Sequence, residues 1–189
     1  MTKVAFIRPY SIIYEGYADF LLFAYLTKVL FRKEFLKVKF VENTNLILNG
    51  ESVVSNGNMR GIGGLSNFKS KYIPLKEHHK EKAFFFVLDS DLDDSQAIMN
   101  FLQKNNELFQ VTKYNTEYFL LSKGGEQLKN SSDFRNMKEF RDYCKDEFLR
   151  IKGKKASEMS DSDFDSILKI IPKDEIVEEY NALFSLLGS

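Results

Sequence analysis

The sequence predicts an α/β fold with a central, mostly parallel sheet flanked by helices and a C-terminal helical extension. Over about the first 121 residues, short apolar runs typical of strands alternate with segments of helical spacing. One run, 83–88, is continuously apolar, as expected of a strand buried on both faces. From about residue 133 only helical spacing remains. We therefore expect an α/β region over 1–125 and a helical extension over 126–189, packed together as one structural unit.

The first forty residues predict two strands, one long helix and a third strand. Apolar runs at 4–7 and 11–14 are strand candidates. Residues 19–35 carry apolar side chains at helical spacing, with lysine and arginine elsewhere, which predicts an amphipathic helix. A third short apolar run at 38–41 predicts the next strand.

The next segment is rich in asparagine, glycine and serine. Apolar runs at 46–48 and 52–54 flank an Asn-Gly pair, which is a strong signal for a β-hairpin. Gly61-Ile-Gly-Gly64 predicts a flexible loop. It matches neither a dinucleotide-binding fingerprint nor a phosphate-binding P-loop. A weak helix is predicted over 65–80.

The remaining elements begin after the continuously apolar strand. A helix is predicted over 95–104, a strand over 109–114 and a short helix over 115–121. Two helices are predicted near the end, over 161–171 and 172–187, the second with a proline at its start. Before them, one apolar helical stripe consists of Phe134, Met137, Phe140, Cys144 and Phe148.

Composition narrows the function classes. The 27 basic and 27 acidic residues cancel, so any contact with nucleic acid must use a local patch and not a global positive field. The single cysteine, Cys144, excludes an internal disulfide and a multi-cysteine zinc site. The start lacks a signal-peptide pattern and no apolar run reaches the roughly 20 residues of a membrane span. We therefore expect a cytoplasmic protein with no membrane partner.

Acidic residues follow two of the predicted strands. Glu15 follows a short apolar run, and Asp89 follows the continuously apolar one, with Asp91 two residues later. Ligands of open parallel sheets bind beyond the carboxyl ends of the strands, so these side chains converge if the strands are neighbours. Crowded carboxylates repel one another, and Mg²⁺ relieves that repulsion because it prefers oxygen ligands. The pattern therefore predicts a Mg²⁺ site, with Mn²⁺ as a possible substitute. Gly16, next to Glu15, would allow a tight turn of the backbone and close approach of a phosphate.

The same acids allow other interpretations. Asp93 and Asp94 could cap the following helix. A calcium-binding EF-hand loop starting at Asp89 would need glycine where Asp94 stands and glutamate where Asn100 stands. The haloacid-dehalogenase phosphatase pattern, here Asp89-x-Asp91-x-Asp93, normally lies on the first strand of its domain. The EF-hand and phosphatase patterns are disfavoured, whereas capping is a good account of Asp93 and Asp94.

The segments Tyr14-Glu15-Gly16-Tyr-Ala-Asp19-Phe20 and Leu88-Asp89-Ser-Asp91 resemble the signature of the Toprim domain. That domain occurs in topoisomerases, bacterial primases and OLD-family nucleases. Gly63-Gly64 before a weak helix and Asn115-Thr-Glu-Tyr-Phe-Leu120 after a strand are similar to OLD-type and stand-alone Toprim proteins. The resemblance covers about residues 10–121 and implies a Toprim-like fold.

The resemblance also implies roles for individual residues. Glu15 would be the general acid/base and a partial metal ligand, and Asp89 and Asp91 would be metal ligands. Asp93 is a further candidate ligand, and Glu117 a candidate for a second metal ion. Candidates for substrate binding are Gly16, Asp19, Gly63, Gly64, Lys69 and Lys71.

The function implied by the resemblance is Mg²⁺-dependent cleavage of phosphodiester bonds in DNA or RNA, in phage defence or RNA processing. A non-catalytic Toprim-like module that binds nucleic acid or a partner is one alternative. A metal-dependent phosphatase acting on a small molecule is another. A separate ATPase, a toxin–antitoxin-like partner and a homodimer are possible assemblies. Further lysines could contact phosphates or lie on an ordinary solvated surface: Lys76, Lys80, Lys152, Lys154 and Lys155.

Overall fold

The computed structural model describes residues 9–188, and within them the chain forms an α/β structure with one seven-stranded, mostly parallel mixed sheet flanked by helices. This confirms the predicted α/β class. The strand predicted over 4–7 lies outside the described residues. The strands are β1 (Tyr10–Tyr14), β2 (Phe40–Val41), β3 (Leu46–Leu48), β4 (Glu51–Ser55), β5 (Asn58–Met59), β6 (Ala83–Asp89) and β7 (Leu108–Thr112).

The strand order places β1 and β6 at the centre of the sheet. The order is β3-β4-β5-β1-β6-β7, and β2 pairs with β1 beside β5. Strand β1 runs parallel to β2, β5 and β6, and β6 runs parallel to β7, whereas the β3–β4 and β4–β5 pairs are antiparallel. Tyr14 lies opposite Val87, and Asp89 lies opposite Thr112. The carboxyl ends of β1, β6 and β7 therefore meet at one edge of the sheet.

Eight α-helices of five or more residues occur within the described range. They are α1 (Tyr17–Tyr25), α2 (Leu65–His78), α3 (Ser95–Lys104), α4 (Thr116–Lys123), α5 (Met137–Lys152), α6 (Asp161–Leu168), α7 (Lys173–Glu179) and α8 (Asn181–Ser185). The prediction of one helix over 172–187 is wrong, because Tyr180 leaves helical geometry between α7 and α8. No helix in this part of the chain is long and apolar enough to cross a membrane.

The prediction of one regular helix over 19–35 is also wrong. Helix α1 ends at Tyr25, continues as a π-helical turn at Leu26–Leu30, and is followed by a 3₁₀ turn at Glu34–Lys37. The Thr27 hydroxyl donates a hydrogen bond to the Phe23 carbonyl at 3.0 Å, a local bond that competes with regular helix geometry. Such π turns widen the helix by one residue, so the apolar spacing alone could not predict where the helix ends.

Two apolar cores cover the two faces of the sheet. Successive residues of a strand point to opposite faces, so Ile12 packs on one side with α1 and α4, while Ile13 packs on the other with α2 and α3. Helices α5 to α8 belong to the first side, where they bury Phe148, Phe164 and Tyr180. Each such aromatic side chain contributes about 1.5–3 kcal/mol on burial. The C-terminal helices therefore complete one face of the sheet.

Candidate active site

The predicted acids gather at the carboxyl edge of the sheet. Glu15 follows β1 directly, Asp89 is the last residue of β6, and Asp91 lies two residues beyond it. Glu117 stands in the first turn of α4, which begins just after β7. Because β1, β6 and β7 are parallel neighbours, the side chains of these residues lie at the same end of the sheet.

Backbone hydrogen bonds join the loops that follow β6 and β7. The Ser90 amide donates to the Thr112 carbonyl at 3.0 Å, and the Asp91 amide donates to the Tyr114 carbonyl at 3.1 Å. In return, the Tyr114 amide donates to the Ser90 hydroxyl at 2.7 Å. These bonds extend the pairing of the two strands and fix the positions from which Asp89 and Asp91 project.

The carboxyl groups of Asp19 and Asp89 lie within hydrogen-bonding reach of each other. Asp19 is buried, whereas Asp89 is half-buried with its Oδ1 shielded from solvent. Asp19 lies in the first turn of α1, where it also accepts a hydrogen bond from the Thr116 hydroxyl. Burial raises the pKa of both groups, and repulsion from Asp19 raises the pKa of Asp89 further. Within the described residues, the buried Oδ1 of Asp89 has no hydrogen-bond partner. Two carboxyl groups this close must share a proton or a cation.

Gly16 makes room for this pair. Its φ of −91° and ψ of 134° suit any residue, so the expectation that glycine is needed there for a tight turn is wrong. Glycine is needed here because a side chain would not fit: a Cβ at position 16 would lie 2.3 Å from Oδ2 of Asp19. The glycine therefore allows the Asp19 carboxyl group to fold back against the backbone beside Asp89.

Gly16→Ala is accordingly expected to lower the free energy of unfolding by about 1–3 kcal/mol, because the new methyl group displaces the Asp19 carboxyl group. Urea denaturation monitored by circular dichroism measures the change. Gly188→Ala is a suitable control, because a Cβ there would meet its nearest neighbour at 3.9 Å. Equal stability of Gly16→Ala and the unchanged protein would contradict the inferred crowding.

Glu15 lies beside the glycine loop. Its Oε1 accepts a hydrogen bond from the Ile62 amide at 3.3 Å. Burial raises the pKa of Glu15, while that hydrogen bond and the nearby charges of Arg141 and Lys71 oppose the rise. Lys71 donates to the Gly61 carbonyl at 2.6 Å. The loop thus holds a half-buried carboxyl group with a raised pKa and a lysine nearby.

Asp91 has firm protein partners. Its side chain is 1% exposed, and Oδ2 accepts a hydrogen bond from the Asn115 side chain at 2.8 Å. Arg141 of α5 forms an ion pair with the same oxygen at 3.1 Å and donates to the Asp91 carbonyl. Burial raises the pKa of Asp91, and Asn115 and Arg141 counteract that rise. Asp91 therefore connects the sheet edge to α4 and α5.

A cavity of about 360 Å³ opens beside the Asp19–Asp89 pair. Glu117 also lines it, and burial raises the pKa of this carboxyl group while Lys145 opposes the rise. The facing wall comes from the C-terminal helices and includes Lys145 and Lys155. The helical extension thus contributes directly to the cavity that Asp19, Asp89 and Glu117 line.

Four of the predicted site residues line this cavity: Gly16, Asp19, Asp89 and Glu117. The others lie outside its lining, Glu15 and Asp91 among them. Asp93 is exposed in the turn between β6 and α3. The Lys69 ammonium lies over the Phe101 ring, 5.0 Å from its centroid, at the contact between α2 and α3. Gly63 is exposed in the loop, and Gly64 precedes α2 with a φ of +90°, a value that favours glycine.

The remaining lysines differ in their surroundings. Lys76 forms an ion pair with Glu107 at 2.6 Å, and Lys154 pairs with Asp163 at 2.9 Å. These pairs account for both lysines without a phosphate ligand. Lys155, next to Lys154 in the chain, lines the cavity instead.

Sequence reasoning missed the contributions of Asn115, Thr116, Arg141 and Lys145. The two basic residues lie four apart on α5, so they share one side of the helix beside its apolar stripe. The sequence shows that spacing. It does not show which strand end the helix faces, because the packing of α5 depends on contacts between distant segments.

The chemistry of the acids fits a hard divalent cation. Among residues 9–188, no three histidine, cysteine, aspartate or glutamate side chains form a ready ligand set around one point. Mg²⁺, however, is commonly bound through one or two carboxylates and keeps several waters. Asp19 and Asp89 meet that requirement, because they are adjacent and one Asp89 oxygen has no partner in the described structure. Metal binding by Asp89, and by the wider set Glu15, Asp91, Asp93 and Glu117, stays a prediction.

Comparisons with known proteins gave no match to a protein-family model, a curated protein or a solved structure. The Toprim resemblance therefore continues to rest on the residues quoted for it. What the structure adds is the arrangement of those residues, which is independent of any relative.

Proposed function

We propose that this protein is a Mg²⁺-dependent phosphodiesterase with a Toprim-like fold that cleaves DNA or RNA. The observation that carries the proposal is the Asp19–Asp89 pair, with its buried and unpartnered Asp89 oxygen, beside a cavity that lysines also line. A buried carboxyl pair is costly for stability, so its presence in an accessible cavity favours a functional role. The order Glu15 then Asp89 and Asp91 on neighbouring parallel strands supports the Toprim resemblance.

In this proposal Asp89, together with Asp19, holds the cation. When bound, Mg²⁺ would neutralise negative charge on the phosphate. Glu15 lies at the same edge of the sheet but outside the cavity lining, and in this proposal it moves a proton to or from the reacting oxygen. Its raised pKa suits that task because an acid/base works best near the operating pH. Lys145, which lines the same cavity, attracts the phosphate and limits repulsion from the acids.

A substrate panel tests the proposal. Labelled single-stranded DNA, single-stranded RNA, duplex DNA and p-nitrophenyl phosphate are incubated with the protein in Mg²⁺, Mn²⁺ or EDTA. We expect shortened nucleic-acid products in either metal, none in EDTA, and recovery when excess Mg²⁺ is added back. Hydrolysis of p-nitrophenyl phosphate alone would instead identify a small-molecule phosphatase, and binding of nucleic acid without cleavage a non-catalytic module.

A second measurement reports the cation without turnover. Because a ligand that binds only the folded state stabilises it, Mg²⁺ should raise the melting temperature in a concentration-dependent way. The same titration on Asp89→Asn should produce little change. An equal rise in both proteins would contradict the assignment of the cation to Asp89.

A further inference from the structure

Two distant parts of the chain enclose the cavity beside the acids. One wall is the start of α1, which includes Tyr17, and the other is the second half of α5 with Leu149. The acidic pair lies between these walls. The cavity therefore has an acidic floor, and its sides carry apolar as well as charged side chains.

Tyr17 and Leu149 are unusual among the side chains that line it, because both are large, apolar and exposed. Tyr17 is 50% exposed, with its ring 5.9 Å from that of Phe20. A ring held at the mouth of a charged cavity offers a flat surface for stacking, and nucleic-acid bases stack on aromatic side chains regardless of sequence. The apolar rim therefore suits a base, while the floor suits a phosphate.

Lys145 and Lys155 contribute two positive charges to the rim, where Asp146 contributes one negative charge. Both lysines are exposed, and both line the cavity. Neighbouring basic residues are occupied elsewhere, since Lys154 pairs with Asp163. Positive charge on one side of an acidic floor suits the phosphates on either side of a nucleotide.

From these features we infer that the substrate is a single strand, one nucleotide of which enters the cavity with its base against Tyr17. This inference rests on the proposed function. At about 360 Å³ the cavity is near the lower end of ligand pockets, which span about 300–1,000 Å³, and it admits one nucleotide but not a base pair. In a duplex the base stays stacked inside the helix unless it is extruded, which costs free energy.

Binding measured without turnover tests the inference. Fluorescence anisotropy in Ca²⁺ compares one labelled 15-nucleotide strand, as DNA and as RNA, with its blunt duplex. We expect the single strands to bind about tenfold more tightly than the duplex, and Tyr17→Ala to weaken single-strand binding by about tenfold, as expected for loss of one stacked base. Tyr17→Phe should retain the binding of the unchanged protein. Lys145→Ala should weaken binding and reduce its salt dependence.

Matched controls separate these effects from general damage. Ile73 on α2 is 48% exposed, nearly the same fraction as Tyr17, and α2 packs on the opposite face of the sheet. Ile73→Ala should therefore bind normally. Lys104→Ala, at the end of α3, is the control for Lys145→Ala. Equal affinity for single strand and duplex, or Tyr17→Ala binding like Ile73→Ala, would overturn the inference.

The two proposals fail separately. Cleavage of duplex and single strand at equal rates overturns the single-strand inference and supports the phosphodiesterase. Preferential single-strand binding that needs Tyr17, with no cleavage in any metal, overturns the phosphodiesterase and supports the single-strand site.

Discussion

Asp89→Asn is expected to lower the rate of nucleic-acid cleavage by about 10³-fold, because a metal ion supplies several kcal/mol of charge stabilisation and each 1.4 kcal/mol changes a rate about tenfold. The same change should raise the free energy of unfolding of the metal-free protein by about 1–2 kcal/mol, as when a functional site carries an unfavourable charge. The asparagine amide can donate to Asp19, where two carboxyl groups now compete. Single-turnover cleavage and urea unfolding in EDTA measure the two effects.

The stabilising effect of Asp89→Asn should depend on pH. Burial raises the pKa of Asp89 in the folded protein, so the protonated form is favoured there. The contribution of Asp89 to stability in EDTA is therefore greatest below the usual aspartate pKa, about 4, and falls as pH rises towards the raised value. Asp89→Asn should weaken that fall. Asp142→Asn, an exposed change on α5, should leave both cleavage and the pH profile within error. A less stable Asp89→Asn protein would contradict the repulsive pair.

The clearest strand could be predicted from the sequence because its signal is local. The continuously apolar run at 83–88 forms β6 (Ala83–Asp89), and the Asn-Gly pair joins β3 and β4 in the expected hairpin. Both depend on residues close together in the chain. Convergence of Glu15 and Asp89 depended on one further condition, that their strands are neighbours, and β1 and β6 are adjacent.

The rest of the site could not be predicted because it depends on contacts between distant segments. In the sequence, strands β2 to β5 lie between Asp19 and Asp89. The pairing of these two aspartates follows from how α1 packs beside β6. Sequence spacing also does not predict where α5 packs, and it is this packing that brings Arg141 to Asp91. Helix spacing predicts which residues share a face but not what that face will contact.

Arg141→Met is expected to lower the free energy of unfolding by about 3 kcal/mol, because it leaves the Asp91 carboxylate buried without its cation. This is the lower end of the usual range, since the Arg141 side chain is 26% exposed while Asp91 is 1% exposed. Urea unfolding at pH 8 measures the loss. Arg150→Met on the same helix is the matched control, because the Arg150–Glu147 pair is surface-exposed and should cost no more than about 1 kcal/mol.

The Arg141 result also separates two roles for Asp91. Losing Arg141 raises the pKa of Asp91 beyond the rise that burial already causes, so the stability loss should be larger at pH 8 than at pH 5. The double variant Asp91→Asn/Arg141→Met lacks both charges of this pair, so no unpaired Asp91 carboxylate is buried. We therefore expect the double variant to recover part of the stability that Arg141→Met loses. Purely additive effects would contradict the ion pair. If cleavage survives in Asp91→Asn, Asp91 acts by positioning α5 against the acidic edge, and the cation depends on Asp19 and Asp89 instead.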